Sequence, residues 1–142
     1  MRQSFNVLAG AATVHDGAFL LLRRSARESF LPNVWGIPAG QVHFDEDVAE
    51  ASLRELSEET GLRGKIVSIL GYSRFRSERE SVQLANIQLN FLVIAPASSV
   101  RLDPASHSEH RWIPLDDPKN PLLDNFTRPI FVEASMCYKD YY

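Results

Sequence analysis

One segment, from Asp45 to Gly61, constrains the fold more than any other part of this sequence. Its apolar residues recur at helical spacing, at Val48, Ala49, Leu53 and Leu56. Asp45 is the expected N-cap residue, and Gly61 stands where a glycine commonly ends a helix. The segment therefore predicts an amphipathic helix that buries one side against the rest of the chain.

The other side of this helix is unusually acidic. Seven carboxylates lie between residues 45 and 60 against a single base, Arg54, although the whole chain has a net charge of only -3. Glu55, Glu58 and Glu59 stand at i, i+3 and i+4, so they share one face and repel each other by a few tenths of a kcal/mol per pair. For Asp45, Asp47 and Glu50 an ordinary solvated face is sufficient explanation. For the three glutamates we prefer a Mg²⁺ site, because Mg²⁺ takes oxygen ligands and would cancel the repulsion.

The remaining pattern mixes strands and helices, which predicts the α/β class. Asp16-Gly17 joins two apolar runs, Val7 to Val14 and Ala18 to Leu22, as a β-hairpin. Further strands are predicted at 34–37, 65–70, 82–95 and 112–113, with a turn at 38–40, a loop at 114–121 and a closing helix at 125–138. In the strand at 82–95, apolar residues alternate with the amides Asn86, Gln88 and Asn90.

Length and composition limit the kinds of protein that this chain can be. The 142 residues fit one domain, spanning 1–142, and 44% of them are hydrophobic, which is enough for a substantial core. Fifteen basic against eighteen acidic residues argue against a protein that coats polymeric nucleic acid. No apolar run reaches the ~18 to 20 residues that span a bilayer, so we expect no membrane partner. The single cysteine, Cys137, fits a reducing compartment, and we expect a cytoplasmic location.

The segment from Gly40 to Leu62 matches a known motif. It reads Gly40, five residues, Glu46, seven residues, then Arg54-Glu55-Leu56-Ser57-Glu58-Glu59-Thr60-Gly61-Leu62, which fulfils all nine specified positions of the Nudix box over 23 residues. The chain resembles a Nudix (MutT-type) hydrolase over nearly its whole length. The resemblance implies an α/β/α sandwich around a mixed sheet.

The resemblance also implies an activity and a set of site residues. The expected reaction is cleavage of a diphosphate linkage in a nucleoside tri- or diphosphate derivative, such as a modified nucleoside triphosphate, with Mg²⁺ or Mn²⁺ as the cofactor. Glu58 and Glu59 would be the main metal ligands, with Glu55 and the Gly40 carbonyl completing the site. Arg54, held by Glu46 or by a ligand carboxylate, would orient this cluster.

The general base remains open at this point. Many relatives carry a glutamate six residues before the downstream tryptophan, where this sequence has Ser106. The candidates are His107, Glu109 and the box glutamate Glu58 or Glu59. Against them, His107 fits an exposed loop histidine and Glu109 an ordinary surface carboxylate.

Candidate substrate contacts are less specific. Arg23 and Arg24 match an arginine pair of MutT-like relatives, although arginines that end a strand are often simply solvated. Asn86 and Gln88 are suited to hydrogen bonds with a nucleobase, although a polar sheet face is common. Arginines 74, 76 and 79 are suited to clamping phosphates, but a solvated loop is the preferred interpretation.

Several functions remain compatible with the motif. The partner is expected to be a small nucleotide, and sugar nucleotides and dinucleoside polyphosphates are alternative substrates. A nucleotide-binding regulator without catalysis is disfavoured, because all four box carboxylates are present. A homodimer is a further expectation, because many relatives pair.

Overall fold

The computed structural model describes residues 3–142. Within this range the chain forms seven strands and two helices. In chain order they are β1 (Gln3–His15), β2 (Ala18–Arg24), β3 (Trp35–Gly36), β4 (Ala39–Gln41), α1 (Val48–Thr60), β5 (Lys65–Arg79), β6 (Val82–Ile94), β7 (His107–Pro114) and α2 (Thr127–Tyr141).

The strands form one mixed sheet in the order β3-β2-β1-β6-β5, with β4 paired to β1 and β7 paired to β2. The central pair, β1 and β6, is parallel over twelve residue pairs, whereas every other pair is antiparallel. The predicted hairpin joins β1 to β2, and Asp16 and Gly17 both take positive φ, at 47° and 74°, as its tight turn requires.

Two hydrophobic cores lie on opposite faces of the sheet. One includes Leu56 of α1 packed with Ala11 and Val93, and the other includes Phe131 of α2 packed with Ala12 and Leu92. Neighbouring residues of a strand therefore serve different cores, as the two-residue period of a strand dictates. The result is the expected α/β/α sandwich around a mixed sheet.

Helix α1 is confirmed, but its first residue differs from the prediction. The N-cap is Asp47 rather than Asp45, because the Asp47 carboxylate accepts hydrogen bonds from the N–H groups of Ala49 and Glu50 at 3.0 and 3.2 Å. At the other end Gly61 has a φ of 76° and its N–H bonds to the Ser57 carbonyl, which confirms the predicted C-cap.

Three further expectations were wrong. The turn predicted at 38–40 is partly strand, because Ala39–Gln41 pairs with β1. The strand predicted at 65–70 continues to Arg79, so arginines 74, 76 and 79 lie on β5 and not in a loop; bulges near residues 67 and 70 interrupt its alternation. The last strand begins at His107, five residues before the predicted 112–113.

No helix within residues 3–142 combines the length and the apolar character needed to cross a bilayer.

Candidate active site

Arg54 lies at the centre of a hydrogen-bond network that joins α1 to the segment before it. Its guanidinium donates two bonds to Glu46, at 2.7 and 3.0 Å, and a third to the Gln41 carbonyl at 3.0 Å. It also donates to Glu55 at 3.0 Å and to Glu58 at 3.2 Å. The bond from Arg54 is the main reason that the pKa of Glu46 falls from 4.5 to about 2. Arg54 therefore fixes both the entry to the helix and two of its acidic side chains.

Gly40 provides the space in which the Glu55 carboxylate lies. A Cβ at residue 40 would overlap all three atoms of that carboxylate group. Strand β4 holds the Gly40 backbone in place by pairing with Ala9 of β1. Only glycine allows this close approach of the backbone to an acidic group.

Glu59 is the most perturbed acid near this strand. Its side chain is 14% exposed, and its pKa is raised well above 4.5, mainly because burial disfavours the charged form. The adjacent Glu55 carboxyl raises the pKa further, while the Ala39 N–H and the Arg24 guanidinium lower it. Oxygen Oε2 of Glu59 is buried and has no hydrogen-bond partner among residues 3–142.

Glu58, in contrast, points outward, with 59% of its side chain exposed and Arg54 as its partner. In the described part of the chain, no three acidic, histidine or cysteine side chains are arranged as a ready metal cluster. Two features nevertheless fit a divalent cation. Oxygen Oε2 of Glu59 lacks a hydrogen-bond partner among the described residues, and the carboxyl groups of Glu55 and Glu59 lie within hydrogen-bonding distance of each other. A hard cation takes oxygen ligands of this kind and would remove the repulsion between the acids.

A β-bulge in β7 separates His107 from Glu109, the two candidates for the general base outside the acidic helix. His107 pairs with Arg24 and Glu109 with the adjacent Arg23, so one residue of β7 is left over between them. His107 is therefore placed beside Glu59, with Nε2 at 3.4 Å from Oε1, whereas Glu109 binds Arg23 at 2.8 Å. The exposed-loop alternative for His107 is wrong, because this residue is 8% exposed and lies on a strand.

His107 is favoured in its neutral form. Burial is the main cause that lowers its pKa below 6.5, and the Arg24 charge adds to this effect, while Glu28 and Asp103 oppose it. Its Nδ1 atom is buried without a partner among the described residues. A neutral imidazole beside an acid is chemically able to accept a proton.

A cavity of about 740 Å³ opens beside Glu59 and His107. Its floor includes Asn86 and Gln88 of β6, and Arg24 lines its wall. Its aromatic lining is formed by Phe30, Trp35, Phe75 and Phe126. The predicted amides and Arg24 therefore line one cavity with the acidic helix, whereas Arg23, Glu109 and Glu58 do not line it.

Sequence reasoning missed the aromatic wall. Phe75 stacks on Phe30 with ring centroids 5.8 Å apart, and it meets Phe126 edge-on at 5.6 Å. The three phenylalanines come from the loop before β3, from β5 and from the segment before α2, so no local pattern connects them. Arg24 holds the first of these loops by donating to the Phe30 carbonyl at 2.7 Å.

The match to known proteins agrees with this geometry. The family model described as "NUDIX domain" matches residues 5–133, nearly the whole chain. The chain therefore belongs to the NUDIX domain family.

Individual relatives match to different extents. An RNA pyrophosphohydrolase of Acinetobacter baylyi is 30% identical over 120 residues, covering 73% of this chain and 72% of the relative. An m7GpppN-mRNA hydrolase NUDT17 of Xenopus laevis is 55% identical over only 49 residues, so the match spans 34% of this chain and 17% of that protein. The crystal structure of a MutT protein from Methanosarcina mazei superposes with a TM-score of 0.76 at 25% identity, covering 99% of this chain and 98% of the other.

Proposed function

We propose that this protein is a divalent-cation-dependent pyrophosphohydrolase that cleaves the diphosphate linkage of a nucleotide. The observation that carries the proposal is the opening of a large aromatic cavity beside Glu59, a largely buried acid whose neighbour on the same helix face is Glu55. Family membership supports the same class of reaction.

Charge explains why a cation is part of this proposal. A diphosphate is strongly negative and would be repelled by the glutamates of α1, so the acids need a positive partner before substrate binds. Glu55 and Glu59, with the carbonyl of Gly40 and Glu58 after rotation of its side chain, would hold Mg²⁺ or Mn²⁺. The bound ion would neutralise phosphate oxygens and lower the pKa of the attacking water.

The chain's own residues supply orientation and proton transfer. Arg54 holds Glu55 and Glu58 while Glu46 and the Gln41 carbonyl fix its guanidinium, so the acids keep one arrangement. We favour His107 over Glu109 as the proton acceptor, because His107 lies in the cavity beside Glu59 and Glu109 is bound to Arg23.

The aromatic wall and the amide floor suit a nucleobase, which is flat and carries polar edges. We propose nucleoside triphosphates, including modified ones, as the first substrates to test, with sugar nucleotides and dinucleoside polyphosphates as alternatives. The 5′ end of RNA is a second candidate, because two of the relatives named above are an RNA pyrophosphohydrolase and an mRNA hydrolase. A cytoplasmic location and a homodimer remain predictions.

The proposal is tested by product analysis with Mg²⁺ on a panel of nucleoside triphosphates, sugar nucleotides, dinucleoside polyphosphates and a 5′-triphosphorylated oligonucleotide. Glu59→Gln removes the ionisable carboxyl group and should reduce kcat about 100-fold, the upper end of the range seen when the support of a metal ligand is lost. Glu50→Gln is the matched control, since Glu50 lies exposed in the first turn of the same helix.

Two results would contradict this function. Equal activity of wild type and Glu59→Gln would refute the assignment of the acids. Nucleotide binding without hydrolysis of any panel member would favour the regulatory alternative.

A further inference from the structure

The floor of the cavity includes side-chain amides of β6, which hydrogen-bond to side chains of the neighbouring strands β1 and β5. Gly10 of β1 lies beside Asn90 of β6 in the parallel register, and Gln88 and Asn86 follow at two-residue intervals on the same face. All three amides are nearly inaccessible, at 2 to 4% exposure. Buried amides need hydrogen-bond partners, so the partners reveal which atoms remain free for a ligand.

Asn86 has its hydrogen-bonding capacity occupied by the protein. Its Nδ2 donates to the Ser77 hydroxyl at 2.9 Å and to the Phe75 carbonyl at 3.3 Å. Its Oδ1 accepts from Asn6 at 3.0 Å, and Asn6 in turn accepts from Gln41 at 2.7 Å. Because a backbone carbonyl only accepts, the Phe75 contact fixes which end of the Asn86 amide is the donor. Asn86 therefore braces the three strands.

Only the nitrogen end of the Gln88 side-chain amide has a hydrogen-bond partner among residues 3–142. Its Nε2 donates to Asn90 Oδ1 at 2.8 Å, and Asn90 Nδ2 donates to the Ser73 hydroxyl at 2.9 Å. The only buried side-chain polar atoms without a partner in residues 3–142 are Glu59 Oε2 and His107 Nδ1. Gln88 Oε1 has no hydrogen-bond partner among residues 3–142 and is absent from that pair, so it is open to the cavity that Gln88 lines.

Gly10 keeps this arrangement in place from the neighbouring strand. A Cβ at residue 10 would lie 2.5 Å from Asn90 Oδ1 and 2.8 Å from Gln88 Nε2. The same position would meet Ile37 Cδ1 at 2.8 Å, so only glycine leaves room for the paired amides here. The bond between Gln88 and Asn90 thus fits tightly beside β1.

We propose that Gln88 is the specificity-determining residue of this cavity and reads the nucleobase as a fixed hydrogen-bond acceptor through Oε1. Asn90 and Ser73 are positioning residues that hold the Gln88 amide in place, and Asn86 takes no part in base recognition. The substrate is then a nucleotide whose base directs an N–H donor to the floor. This inference rests on the proposed function, because it names the chemistry that the same site recognises.

Gln88 Oε1 would distinguish bases that carry an N–H group at this position from bases that lack one, because the oxygen has no other hydrogen-bond partner. Rotating the Gln88 amide alone would place its NH₂ group toward the ligand but would set its oxygen against Asn90 Oδ1, so Asn90 would have to rotate with it. A base without the N–H therefore leaves a desolvated oxygen unpaired, and the penalty is about tenfold or more in kcat/KM. Ground-state binding bears this loss, so it appears in KM and not in kcat.

The test is a double-mutant-type cycle that removes the base N–H group from the nucleotide and the Gln88 amide from the protein, each separately and both together. The nucleotide with the highest kcat/KM in the panel is compared with analogues in which one base N–H at a time is replaced by C–H, so that no bulk is added. Wild type should lose about tenfold in kcat/KM for one analogue. Gln88→Met keeps the side-chain length, should raise KM for the parent nucleotide and should reduce that ratio to within about twofold.

Two further variants separate positioning from structure. Ser73→Ala removes the hydroxyl that orients Asn90, and it should raise KM and weaken the same discrimination while kcat stays constant. Ser68→Ala on the same strand is its control, since the Ser68 hydroxyl contacts only the next carbonyl. Gln83→Met is the control for Gln88, because Gln83 is exposed on the same strand. Thermal unfolding confirms that each variant is folded.

The outcomes distinguish this inference from the proposed function. If no N–H replacement is discriminated, or if Gln88→Met and Ser73→Ala both keep the wild-type ratio, Gln88 does not read the base although hydrolysis persists. If loss of a base acceptor is the change coupled to Gln88, the amides have the opposite polarity and the inference is wrong. If wild type hydrolyses no nucleotide, both proposals fail.

Discussion

Gly40→Ala should separate catalysis from stability more cleanly than any change to an acidic residue. The new methyl group would overlap the Glu55 carboxylate, which has to move by roughly 1 Å to reach ordinary van der Waals contact. That group is the far end of a flexible side chain, so the free energy of unfolding should fall by only about 1 kcal/mol, the low end of overpacking costs. A displacement of this size within a catalytic cluster costs about 100-fold in rate, or about 2.7 kcal/mol of transition-state stabilisation.

The assay is the Mg²⁺-dependent kcat/KM of the preferred nucleotide together with the thermal unfolding midpoint. Gly64→Ala is the contrasting variant, because its Cβ would overlap Val93, which is fully buried and branched and therefore cannot give way. It should lower the unfolding midpoint more than Gly40→Ala does, with kcat of the folded protein retained. If Gly40→Ala kept wild-type kcat/KM, the carboxylate of Glu55 would not belong to the catalytic cluster.

Three other substitutions test the acidic network of α1 and the aromatic wall of the cavity. Arg54→Lys keeps the charge but cannot form the two parallel hydrogen bonds to the Glu46 carboxylate, so kcat should fall ~10- to 100-fold. An unchanged kcat would contradict the orienting role of Arg54. The raised pKa of Glu59 means that the folded metal-free state binds more protons than the unfolded state; its stability should therefore fall as pH rises above about 4.5, and Glu59→Gln should lack this component in urea titrations. Phe75→Ala removes the central ring of the aromatic wall and should raise KM about tenfold or more with little change in kcat, whereas a loss confined to kcat would contradict stacking on the base.

Local signals predicted the acidic helix, the hairpin and the amide strand correctly because each of them is encoded within a short segment. Helical spacing located α1, and the Asp16-Gly17 pair located the hairpin turn. Alternation of apolar and amide residues predicted a strand at 82–95, and β6 runs over Val82–Ile94. These features need no knowledge of which other segment they contact.

The parts that were missed depend on contacts between distant segments or on breaks in periodicity. Strand β4 exists only through its pairing with β1, and its residues alone indicate a turn. The bulge that places His107 in the cavity and Glu109 outside it leaves no trace in residue type. Asn86 and Gln88 differ in how many of their amide atoms have hydrogen-bond partners, and this difference depends on Ser73 and Asn6, which lie on other strands. Tertiary pairing of this kind is not encoded within a short window.

The acids and the cavity floor are carried by different parts of the chain. Helix α1 and β4 supply the charged groups, whereas Gln88, Ser73 and Phe75 all lie within one continuous antiparallel pair, β5 and β6, from residue 65 to 94. Under the proposed function, substitutions at the cavity-lining positions of this one hairpin would alter the recognised base while the acids keep their frame. The rest of β6 is constrained, because Leu92 belongs to one core and Val93 to the other.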